Sequence, residues 1–492
     1  MSIFVGMNYV NGEYCPHRSD ISVENPANEE CIGMIPNSTA VEVAEAIAVA
    51  RKAFKKWRQT SRIYRADLFD KLAQLLKRDC QKLQRIMSLE TGKNLNESYA
   101  EVIEGLHMCQ VAAAVGREPF GIVIASELTT KDAYTMRKPK GVVAVISPWN
   151  FPLAIGSFWC SAPALVEGNC VVHKPSELTP IIAQTISELY HEAGFPEGVY
   201  NLIHGSDDTG KALVRGNVDC ILFTGSAAVG QDIRRHCADT WSKTCSCEMG
   251  SKSAVIVCED ANMNLAHDAT LASAFKLSGQ RCVSASRILV HRSIVGAFVE
   301  RFVNSVSTKV TFGDPFEVPA PFYGPLISKE QKECVSRFNA KVIADSEATV
   351  KYNGECSRDK GHFLAPFVYQ TEWRDVDYLK EEVFGPHVAI IPFNDVEDAV
   401  RIYNDTDYGL ALGVITEDFR IMRKIREECD TGMLYLNGSC IGAESHLPFG
   451  GVKKSGNGWK SAAGTYQAVT DEISVTTNFE AGRMQFAQGM EL

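Results

Sequence analysis

The sequence lacks the features that mark nucleic-acid-binding, membrane-spanning and secreted proteins. Its 50 Lys and Arg residues are outnumbered by 60 Asp and Glu, giving a net charge of -10, and no basic stripe suggests a nucleic-acid surface. The longest apolar runs reach about eight residues, against the ~20 that a membrane-spanning helix needs. Residues 1–6 contain neither a cationic segment nor a long apolar one, so we expect no secretory signal.

Paired cysteines and metal-binding motifs are also lacking. The 16 cysteines are scattered from Cys15 to Cys440, and no C-x-x-C pair occurs. A chain this long can bury a large core without disulfides, so we expect reduced thiols and a cytoplasmic location. There is no H-E-x-x-H motif, and His173, His204 and His446 stand alone. We therefore expect no bound metal.

The overall composition is that of a large globular protein. At roughly 150 residues per domain, 492 residues correspond to about three domain-sized units. Hydrophobic residues make up 45% and charged residues 22%, which excludes long disordered segments. No internal repeat or low-complexity tract is present.

Helical periodicity and short apolar runs together predict an α/β fold. Residues 39–57 and 61–90 have helical spacing, and Thr39 with Glu42 forms a capping box. The short apolar runs that indicate strands are 141–146, 170–173, 200–203, 219–223, 254–258, 287–291 and 387–393. Because helix-like segments separate them, we expect parallel sheets covered on both faces.

The strand pattern divides the chain into two α/β units that meet near residue 250. The predicted domains are 1–119 with 140–250, and then 251–471. The segments 120–139 and 472–492 fit neither unit and are β-prone, so we expect them to pair as an outlying ribbon, within or between subunits.

Three side chains lie in contexts that suit chemistry at a carbonyl. Cys282 ends a Gly-Gln-Arg-Cys turn, a polar setting that suits a nucleophilic thiol; the alternative is a buried structural cysteine. Glu248 ends a predicted strand and is a candidate base, or alternatively a solvated carboxylate. Asn150 follows a predicted parallel strand in Pro-Trp-Asn-Phe-Pro. Its amide could donate to an oxyanion; the alternative is an ordinary turn asparagine.

Two further segments suit a nucleotide. Lys174-Pro-Ser-Glu177 ends an apolar strand, and a Lys–Glu pair there can bind ribose hydroxyls. In Gly225-Ser226-Ala-Ala-Val-Gly230 a glycine turn opens a predicted helix, and helix N-termini bind phosphate. This segment is neither a P-loop nor G-x-G-x-x-G, so the motif is weak by itself.

Taken together, the motifs resemble the NAD(P)-dependent aldehyde dehydrogenase superfamily along essentially the whole chain. In the order of that family, the sequence contains PWNFP, KPSE, FTGS with VG, EMGSK, GQRC, EEVFGP and LPFGGVKKSG. The 34 residues from Glu248 to Cys282 also match the family's usual interval. The resemblance implies an aldehyde dehydrogenase-like α/β fold: a parallel-sheet dinucleotide-binding domain, a second α/β catalytic domain and a small oligomerisation ribbon.

The resemblance also implies the roles of individual residues. Cys282 would be the nucleophile and Glu248 the general base, while Asn150 and the backbone N–H of Cys282 would form an oxyanion hole. The resemblance also assigns Lys174 to the catalytic residues. The residues that the resemblance assigns to the cofactor are Ser147, Trp149, Lys174, Glu177, Gly225, Ser226, Gly230, Glu382 and Phe384.

Within the implied cofactor site, Lys174 and Glu177 would hold the adenosine ribose and Ser226 the pyrophosphate. Glu382 would hold the nicotinamide ribose, with Phe384 beside the ring. An acidic side chain at the adenosine ribose repels a 2′-phosphate, so we expect NAD, with NADP as the alternative. A homodimer or homotetramer is implied as well.

The implied reaction is oxidation of an aldehyde to a carboxylic acid through a cysteine thiohemiacetal and a thioester. Glu248 argues for release of the acid by water rather than by coenzyme A, because only hydrolysis needs a base. Two departures from the family pattern are Ser251, where glycine is usual, and Val283, where several relatives carry Ser or Thr.

The segment 437–451 resembles most closely the branch acting on α-ketoglutaric, aminoadipic and glutamic semialdehydes. There a glycine-containing loop would bind the distal carboxylate through backbone N–H groups. We expect Gly438, Ser439 and Ser284 to form this anchor. Two alternatives stay open: a broad-specificity aldehyde dehydrogenase, and a thiol hydrolase with a Glu-Lys-Cys site. A non-catalytic protein that retains the fold is a third.

Overall fold

The computed structural model describes residues 3–16, 19–480, 482 and 486. Strands occur at the apolar runs that were predicted to be strands. Within the described residues, the strands are β1 Phe4–Val5, β2 Asn8–Val10, β3 Glu13–Cys15, β4 Ser19–Asn25, β5 Glu30–Pro36, β6 Val123–Ile124, β7 Lys131–Pro139, β8 Val142–Ile146, β9 Cys170–Lys174, β10 Tyr200–Leu202, β11 Cys220–Thr224, β12 Thr244–Glu248, β13 Ala254–Val257, β14 Arg287–His291, β15 Thr349–Asn353, β16 Phe367–Gln370, β17 His387–Phe393, β18 Tyr408–Gly409, β19 Ala411–Ile415, β20 Met433–Leu436, β21 Pro448–Phe449, β22 Val452–Lys453, β23 Ser461–Ala462 and β24 Thr470–Asn478.

The helices separate these strands as the alternating pattern predicts. They are α1 Ala40–Trp57, α2 Arg62–Thr91, α3 Leu95–Val115, α4 Ser161–Val166, α5 Pro180–Ala193, α6 Asp207–Arg215, α7 Ala227–Ala238, α8 Met263–Phe275, α9 Val295–Lys309, α10 Lys329–Ala344, α11 Asp377–Lys380, α12 Val396–Asn404, α13 Phe419–Glu428 and α14 Thr465–Ala468. A π-helix, Pro152–Cys160, precedes α4, and a 3₁₀ turn, Lys276–Gly279, follows α8.

Two seven-stranded sheets form the centre of the fold. The first has the order β12-β11-β8-β9-β10-β2-β3 and is parallel from β12 to β10. The second has the order β15-β16-β17-β14-β13-β19-β20 and is parallel except at β15. Every residue of β9 and β13 is buried, because helices cover both faces of a parallel sheet. The predicted α/β fold class is confirmed.

The predicted helices at 39–57 and 61–90 are α1 and α2, each within one or two residues. The capping box is present: the Thr39 hydroxyl accepts from the Glu42 N–H at 3.4 Å, and the Glu42 carboxylate accepts from the Thr39 N–H at 2.8 Å. In the predicted first domain, residues before 119 contribute only β2 and β3 to the large sheet, while β1, β5 and β4 form a separate three-stranded sheet. The domain boundaries themselves stay a prediction.

The outlying ribbon forms within one chain. β24 pairs antiparallel with β7 from Thr470 opposite Pro139 to Asn478 opposite Lys131, and β6 pairs with the other edge of β7. These strands fall in the two segments predicted to pair, although β24 begins two residues before the expected boundary at 472. Residues 481, 483–485 and 487–492 of the predicted tail lie outside the described residues.

The described part of the chain contains no helix long and apolar enough to cross a membrane. All 16 cysteines are free thiols. No group of three or more His, Cys, Asp or Glu side chains among the described residues is arranged to hold a metal ion. His173 is fully buried, and burial lowers its pKa to about 3, so it is a neutral part of the core.

Candidate active site

Four of the predicted site residues lie at one edge of the first large sheet. Lys174 and Glu248 are the last residues of β9 and β12, Ser147 follows β8, and Gly225 follows β11. These four strands are parallel neighbours in the order β12-β11-β8-β9, so their carboxyl ends share an edge. Ligands of open α/β sheets bind at this edge.

The loop at residues 276–283, called the nucleophile loop after the role predicted for Cys282, has an unusual backbone. Leu277, Ser278 and Gly279 have φ angles of 56°, 55° and 70°, and left-handed conformations of non-glycine residues are costly. This turn presents Cys282 half-buried at its end. Such strain is concentrated at functional sites, because the surrounding structure must hold it.

The Cys282 thiol is protonated at neutral pH in this environment. Burial, followed by the charges of Glu382 and Glu248, raises its pKa to about 12. Both carboxyls are therefore close enough to the thiol to influence it. A thiol with a raised pKa attacks a carbonyl only if a base removes its proton during the reaction.

Asn150 is buried beside the nucleophile loop. Its Nδ2 donates to the backbone carbonyl of Gln280 at 3.0 Å, two residues before Cys282. The amide is thus fixed next to the loop that carries the nucleophile, which supports the predicted oxyanion role. That role stays a prediction.

Glu248 is buried with one oxygen bound and one free. Its Oε2 accepts from the Gly451 N–H at 3.1 Å, while Oε1 is buried and has no hydrogen-bond partner among the described residues. Burial raises the pKa of Glu248 well above its usual range, and the Gly451 N–H, the charge of Lys460 and the Ser461 N–H oppose this rise. A free oxygen on a carboxyl with a raised pKa suits a proton acceptor.

Ser251 joins the nucleophile to Glu382. Its hydroxyl donates to the backbone carbonyl of Cys282, and its N–H donates to Glu382 Oε1 at 2.7 Å. A Cβ on Gly250 would lie 2.2 Å from Glu382 Oε2, so glycine is required for this approach. Burial raises the pKa of Glu382 to about 7.

Lys174, Glu177 and Ser226, all predicted to bind the cofactor, lie near the carboxyl edge of the first sheet. Lys174 Nζ donates to Glu177 Oε2 at 3.3 Å, and the Glu177 side chain is partly exposed, so its oxygens can meet ribose hydroxyls. Ser226 caps α7 by accepting from the Val229 N–H at 3.4 Å. The exposed start of this twelve-residue helix is a suitable place for a pyrophosphate.

Two glycines predicted to contact the cofactor, Gly225 and Gly230, lie close to neighbouring side chains at the start of α7. A Cβ on Gly230 would lie 2.4 Å from the Met249 sulfur, and one on Gly225 would lie 2.6 Å from the Phe223 ring. Side chains at either position would push α7 off the sheet. The glycines therefore hold the helix N-terminus in place, and their predicted contact with the cofactor stays a prediction.

Three further residues were predicted to contact the cofactor: Trp149, Phe384 and Ser147. The rings of Trp149 and Phe384 are perpendicular with centroids 5.5 Å apart, and Phe384 has a φ of 57°. They form an aromatic corner suited to a flat ring. The Ser147 hydroxyl instead pairs with His173 Nε2 at 2.8 Å, so it serves the interior of the sheet.

A cavity of about 1000 Å³ opens at Cys282. Its walls come from α3, the π-helix, the nucleophile loop and residues 442–446. Most of the lining is apolar, and its Arg and Glu residues are Arg281, Glu104 and Glu444, the last of which pairs with His446 at 3.0 Å. The cavity is the place where a substrate would reach the nucleophile.

Arg281 is a cation with a free donor in the cavity wall. Its Nε is buried and has no hydrogen-bond partner in the described part of the chain, and its guanidinium lies 5.4 Å from the centroid of Phe151. Lys93 lies 4.1 Å from the same ring but is bound to Glu101 in a buried ion pair. Of these two cations, Arg281 is the one available to a ligand.

Glu104 supplies the opposite charge. Burial and the neighbouring Glu101 raise its pKa to about 8, while Arg281 and Lys93 oppose the rise. These causes place Glu104 within electrostatic range of Arg281 in the same cavity. The wall can therefore offer a positive and a negative group to one ligand.

The predicted anchor residues are not among those lining the cavity. Ser439 Oγ donates to the Ile441 carbonyl at 2.9 Å, and the Ser284 hydroxyl accepts from the Arg281 N–H at 3.3 Å. Cys440, beside Gly438, packs under the nucleophile loop with its Sγ 3.0 Å from the Val283 carbonyl. The loop turns so that residues 442–446 reach the cavity instead.

Two of the charged wall residues, Arg281 and Glu104, are not among the residues that the sequence predicts for the site. Arg281 lies inside the GQRC motif, where the sequence indicates only a turn. Glu104 belongs to no motif, and it lies on α3, a helix outside the predicted ones. The one signal for Glu104 is its place on a helix whose other face, with Val102 and Leu106, is buried.

Comparison with known proteins agrees with this geometry. Residues 14–475 match the model of the aldehyde dehydrogenase family. The chain is 34% identical over 460 residues to an alpha-ketoglutaric semialdehyde dehydrogenase of Bacillus subtilis (strain 168), covering 91% of this chain and 93% of the relative. A 1-pyrroline-5-carboxylate dehydrogenase from Thermus with bound NAD superposes with a TM-score of 0.91 at 30% identity, over 97% of this chain and 94% of that one.

A second structural relative has different substrate chemistry. The betaine aldehyde dehydrogenase of Staphylococcus aureus, in complex with NAD+, superposes with a TM-score of 0.92 at 30% identity, over 99% of this chain and 97% of that one. The relatives thus differ in the aldehyde named while sharing one fold. By its sequence and its structure, the chain belongs to the aldehyde dehydrogenase family, a family of oxidoreductases.

Proposed function

We propose that the protein oxidises a semialdehyde, an aldehyde with a distal carboxylate, to the corresponding acid with NAD. The observation that carries this proposal is Arg281, a cation with an unpartnered buried Nε in the wall of the cavity at Cys282. A buried unpaired donor costs free energy until a ligand binds it. An anionic group on the substrate is the ligand that this position suits.

The chemistry follows from the arrangement at Cys282. The sulfur attacks the aldehyde carbon, a C–S bond forms, and the thiol proton passes to a base. The carbonyl oxygen becomes an oxyanion that Asn150 and the Cys282 N–H would hold. NAD supplies the hydride acceptor. Loss of hydride from the thiohemiacetal leaves a thioester on Cys282.

The second half of the reaction belongs to Glu248. A water molecule adds to the thioester carbon and gives its proton to the free Oε1 of Glu248. The C–S bond then breaks, the carboxylic acid leaves, and the proton on Glu248 returns to the sulfur of Cys282. The raised pKa of Glu248 makes this group a stronger base than an exposed carboxylate.

The carboxyl group of Glu104 in the cavity wall favours a semialdehyde that also carries a positive charge. An aldehyde that carries an ammonium beside its carboxylate can pair with Glu104 and Arg281 at once. Such a compound is the semialdehyde of an α-amino acid. Each charge-assisted hydrogen bond contributes roughly 1.5–3 kcal/mol, so two retained bonds favour this substrate over a neutral aldehyde by about a hundredfold or more.

The choice of NAD rests on Glu177. Its partly exposed carboxylate, bound to Lys174, can accept from both ribose hydroxyls and repels a 2′-phosphate. Two structural relatives are described with bound NAD or NAD+, which supports the same cofactor here. NADP is the alternative, and the ratio of kcat/KM for the two cofactors tests it.

A substrate panel tests the proposal against its alternatives. We expect kcat/KM to rise from hexanal to adipic semialdehyde and again to aminoadipic semialdehyde, three aldehydes of equal length. Equal values would favour a broad-specificity aldehyde dehydrogenase. The thiol hydrolase alternative loses its support with the family assignment, and it would predict no NADH from any of the three.

Assembly into a homodimer or homotetramer is also proposed. Among the described strands, none pairs with the outer edge of β6 or of β24, and unpaired strand edges favour contact with another chain. Val123 on β6 is 91% exposed and Phe479, just past β24, is 67% exposed. Light scattering of the purified protein measures the state, and a monomer at micromolar concentration would contradict the proposal.

A further inference from the structure

Lys460 holds the turn that binds the general base. Its Nζ donates to the carbonyls of Gly450 and Gly451, at 2.6 and 3.1 Å. The N–H of Gly451 in turn donates to Glu248 Oε2 at 3.1 Å. One ammonium thus fixes both peptides of the turn against which the Glu248 carboxyl is held.

The fit between these three elements is close. A Cβ on Gly450 would lie 2.1 Å from Glu248 Oε1 and 2.8 Å from Lys460 Cδ. The glycine is therefore enclosed between the base and the lysine stem, and its φ of 155° belongs to a conformation that side chains rarely adopt. A shift of the turn would move the Glu248 carboxyl with it.

Lys460 is also the positive charge that acts on Glu248. Within the described residues, the other titratable groups that sense the charge of Glu248 are the thiols of Cys160, from the π-helix, and Cys282, from the nucleophile loop. Lys460 opposes the burial that raises the pKa of Glu248, and Glu248 opposes the burial that lowers the pKa of Lys460. The two groups are thus linked by charge as well as by the turn.

We propose that Lys460 is a positioning residue for the hydrolysis of the thioester. Its ammonium holds the Gly450–Gly451 turn that fixes Glu248, and its charge favours the carboxylate form that accepts a proton from the attacking water. The inference rests on the proposed role of Glu248 as the base. It assigns to Lys460 no contact with the substrate, with NAD or with the reacting sulfur.

The test measures the decay of the Cys282 thioester directly. With adipic semialdehyde and NAD, rapid quenching and mass spectrometry follow acyl-enzyme loss as a function of pH. Lys460→Met should keep a burst of one NADH per active site and slow thioester decay about tenfold or more. The acidic limb of the pH profile, where thioester decay slows because Glu248 becomes protonated, should move up by about one pH unit in this variant, because an opposite charge at this range lowers a carboxyl pKa by about that much. Lys460→Arg should keep the wild-type limb.

Lys453→Met is the matched control. Lys453 lies in the same segment and also binds backbone carbonyls, those of Asn404 and Thr406 at 2.8 and 3.3 Å, but it does not face Glu248. This control should leave thioester decay unchanged. Circular dichroism and the burst amplitude confirm that each variant is folded.

Three results would overturn the inference: a wild-type limb and decay rate in Lys460→Met, an equal loss in Lys460→Arg, or a loss of the burst itself. Glu248→Gln separates this failure from failure of the proposed function. If Glu248→Gln stalls at the thioester while Lys460→Met behaves as wild type, only the role of Lys460 is wrong. If Glu248→Gln turns over normally, the proposed base is wrong.

Discussion

The hydroxyl of Ser251 donates a hydrogen bond to the backbone carbonyl of Cys282. Glycine, which the family pattern has at this position, carries no hydroxyl and could not make this bond. Because the Ser251 N–H also binds Glu382, one residue ties the nucleophile loop to the predicted ribose-binding carboxylate. Only the first of these two contacts depends on the side chain.

Removing the hydroxyl should therefore slow the acylation step selectively. Ser251→Ala leaves the Cys282 carbonyl unpaired, and a lost hydrogen bond of about 0.5–1.5 kcal/mol corresponds to roughly a two- to tenfold lower burst rate. The KM for NAD should be unchanged, because the N–H to Glu382 is retained. Ser253→Ala is the control, since Ser253 Oγ contacts Ser251 Oγ at 3.0 Å but makes no bond to Cys282. A wild-type burst rate in Ser251→Ala would refute this prediction.

The two steps of the reaction should separate by mutation. Cys282→Ala should abolish both NADH formation and the thioester. Glu248→Gln should still acylate, release about one NADH per active site and then stall, because the amide cannot accept a proton from water. Stopped-flow absorbance with quenched-flow mass spectrometry measures both quantities. Full steady-state turnover of Glu248→Gln would show that another group is the base.

Glu177 should determine the preference for NAD. Glu177→Ser removes the charge that would repel a 2′-phosphate, so the ratio of kcat/KM for NAD over NADP should fall mainly through a gain with NADP. The bond from Lys174 Nζ to Pro175 O at 3.1 Å keeps the lysine in place in this variant. A wild-type enzyme that prefers NADP would contradict the assignment at once.

Recognition of an ammonium by Glu104 should depend on pH. Burial raises the pKa of Glu104 to about 8, so the carboxyl is mostly protonated below that pH and ionised above it. The preference for aminoadipic over adipic semialdehyde, as a ratio of kcat/KM, should therefore increase as the pH rises through 8. Glu104→Gln should give a ratio that is lower and less dependent on pH. A ratio that falls over this interval in the wild type would argue against the pairing.

Much of the fold could be predicted because buried parallel strands have a simple signature. Runs such as Val142–Ile146 and Ala254–Val257 are short, continuously apolar and separated by helices, and few architectures besides a covered parallel sheet produce this pattern. The motifs at the strand ends then place Asn150, Glu248 and Cys282 around one edge. At these positions the local sequence motif and the end of a sheet strand occur together, so the motif also indicates where the residue lies in the fold.

The substrate cavity could not be predicted in the same way. Its wall depends on where a glycine-containing loop turns, and the left-handed conformations of Asn437 and Gly442, with φ of 54° and 121°, redirect the chain between the predicted anchor and the residues that line the cavity. Glu104 becomes significant only when α3 packs against the nucleophile loop. Contacts between distant segments leave no local trace in the sequence.

The most direct test of carboxylate recognition compares two variants on two substrates. The ratio of kcat/KM for adipic semialdehyde over hexanal is measured in the wild type, in Arg281→Met and in Gly438→Val. If Arg281 anchors the carboxylate, Arg281→Met should lower this ratio about tenfold or more, and Gly438→Val should leave it near the wild-type value. A ratio that is unchanged in Arg281→Met and lowered in Gly438→Val would return the anchor to the loop at residues 438–439. A wild-type ratio near one would contradict carboxylate recognition altogether.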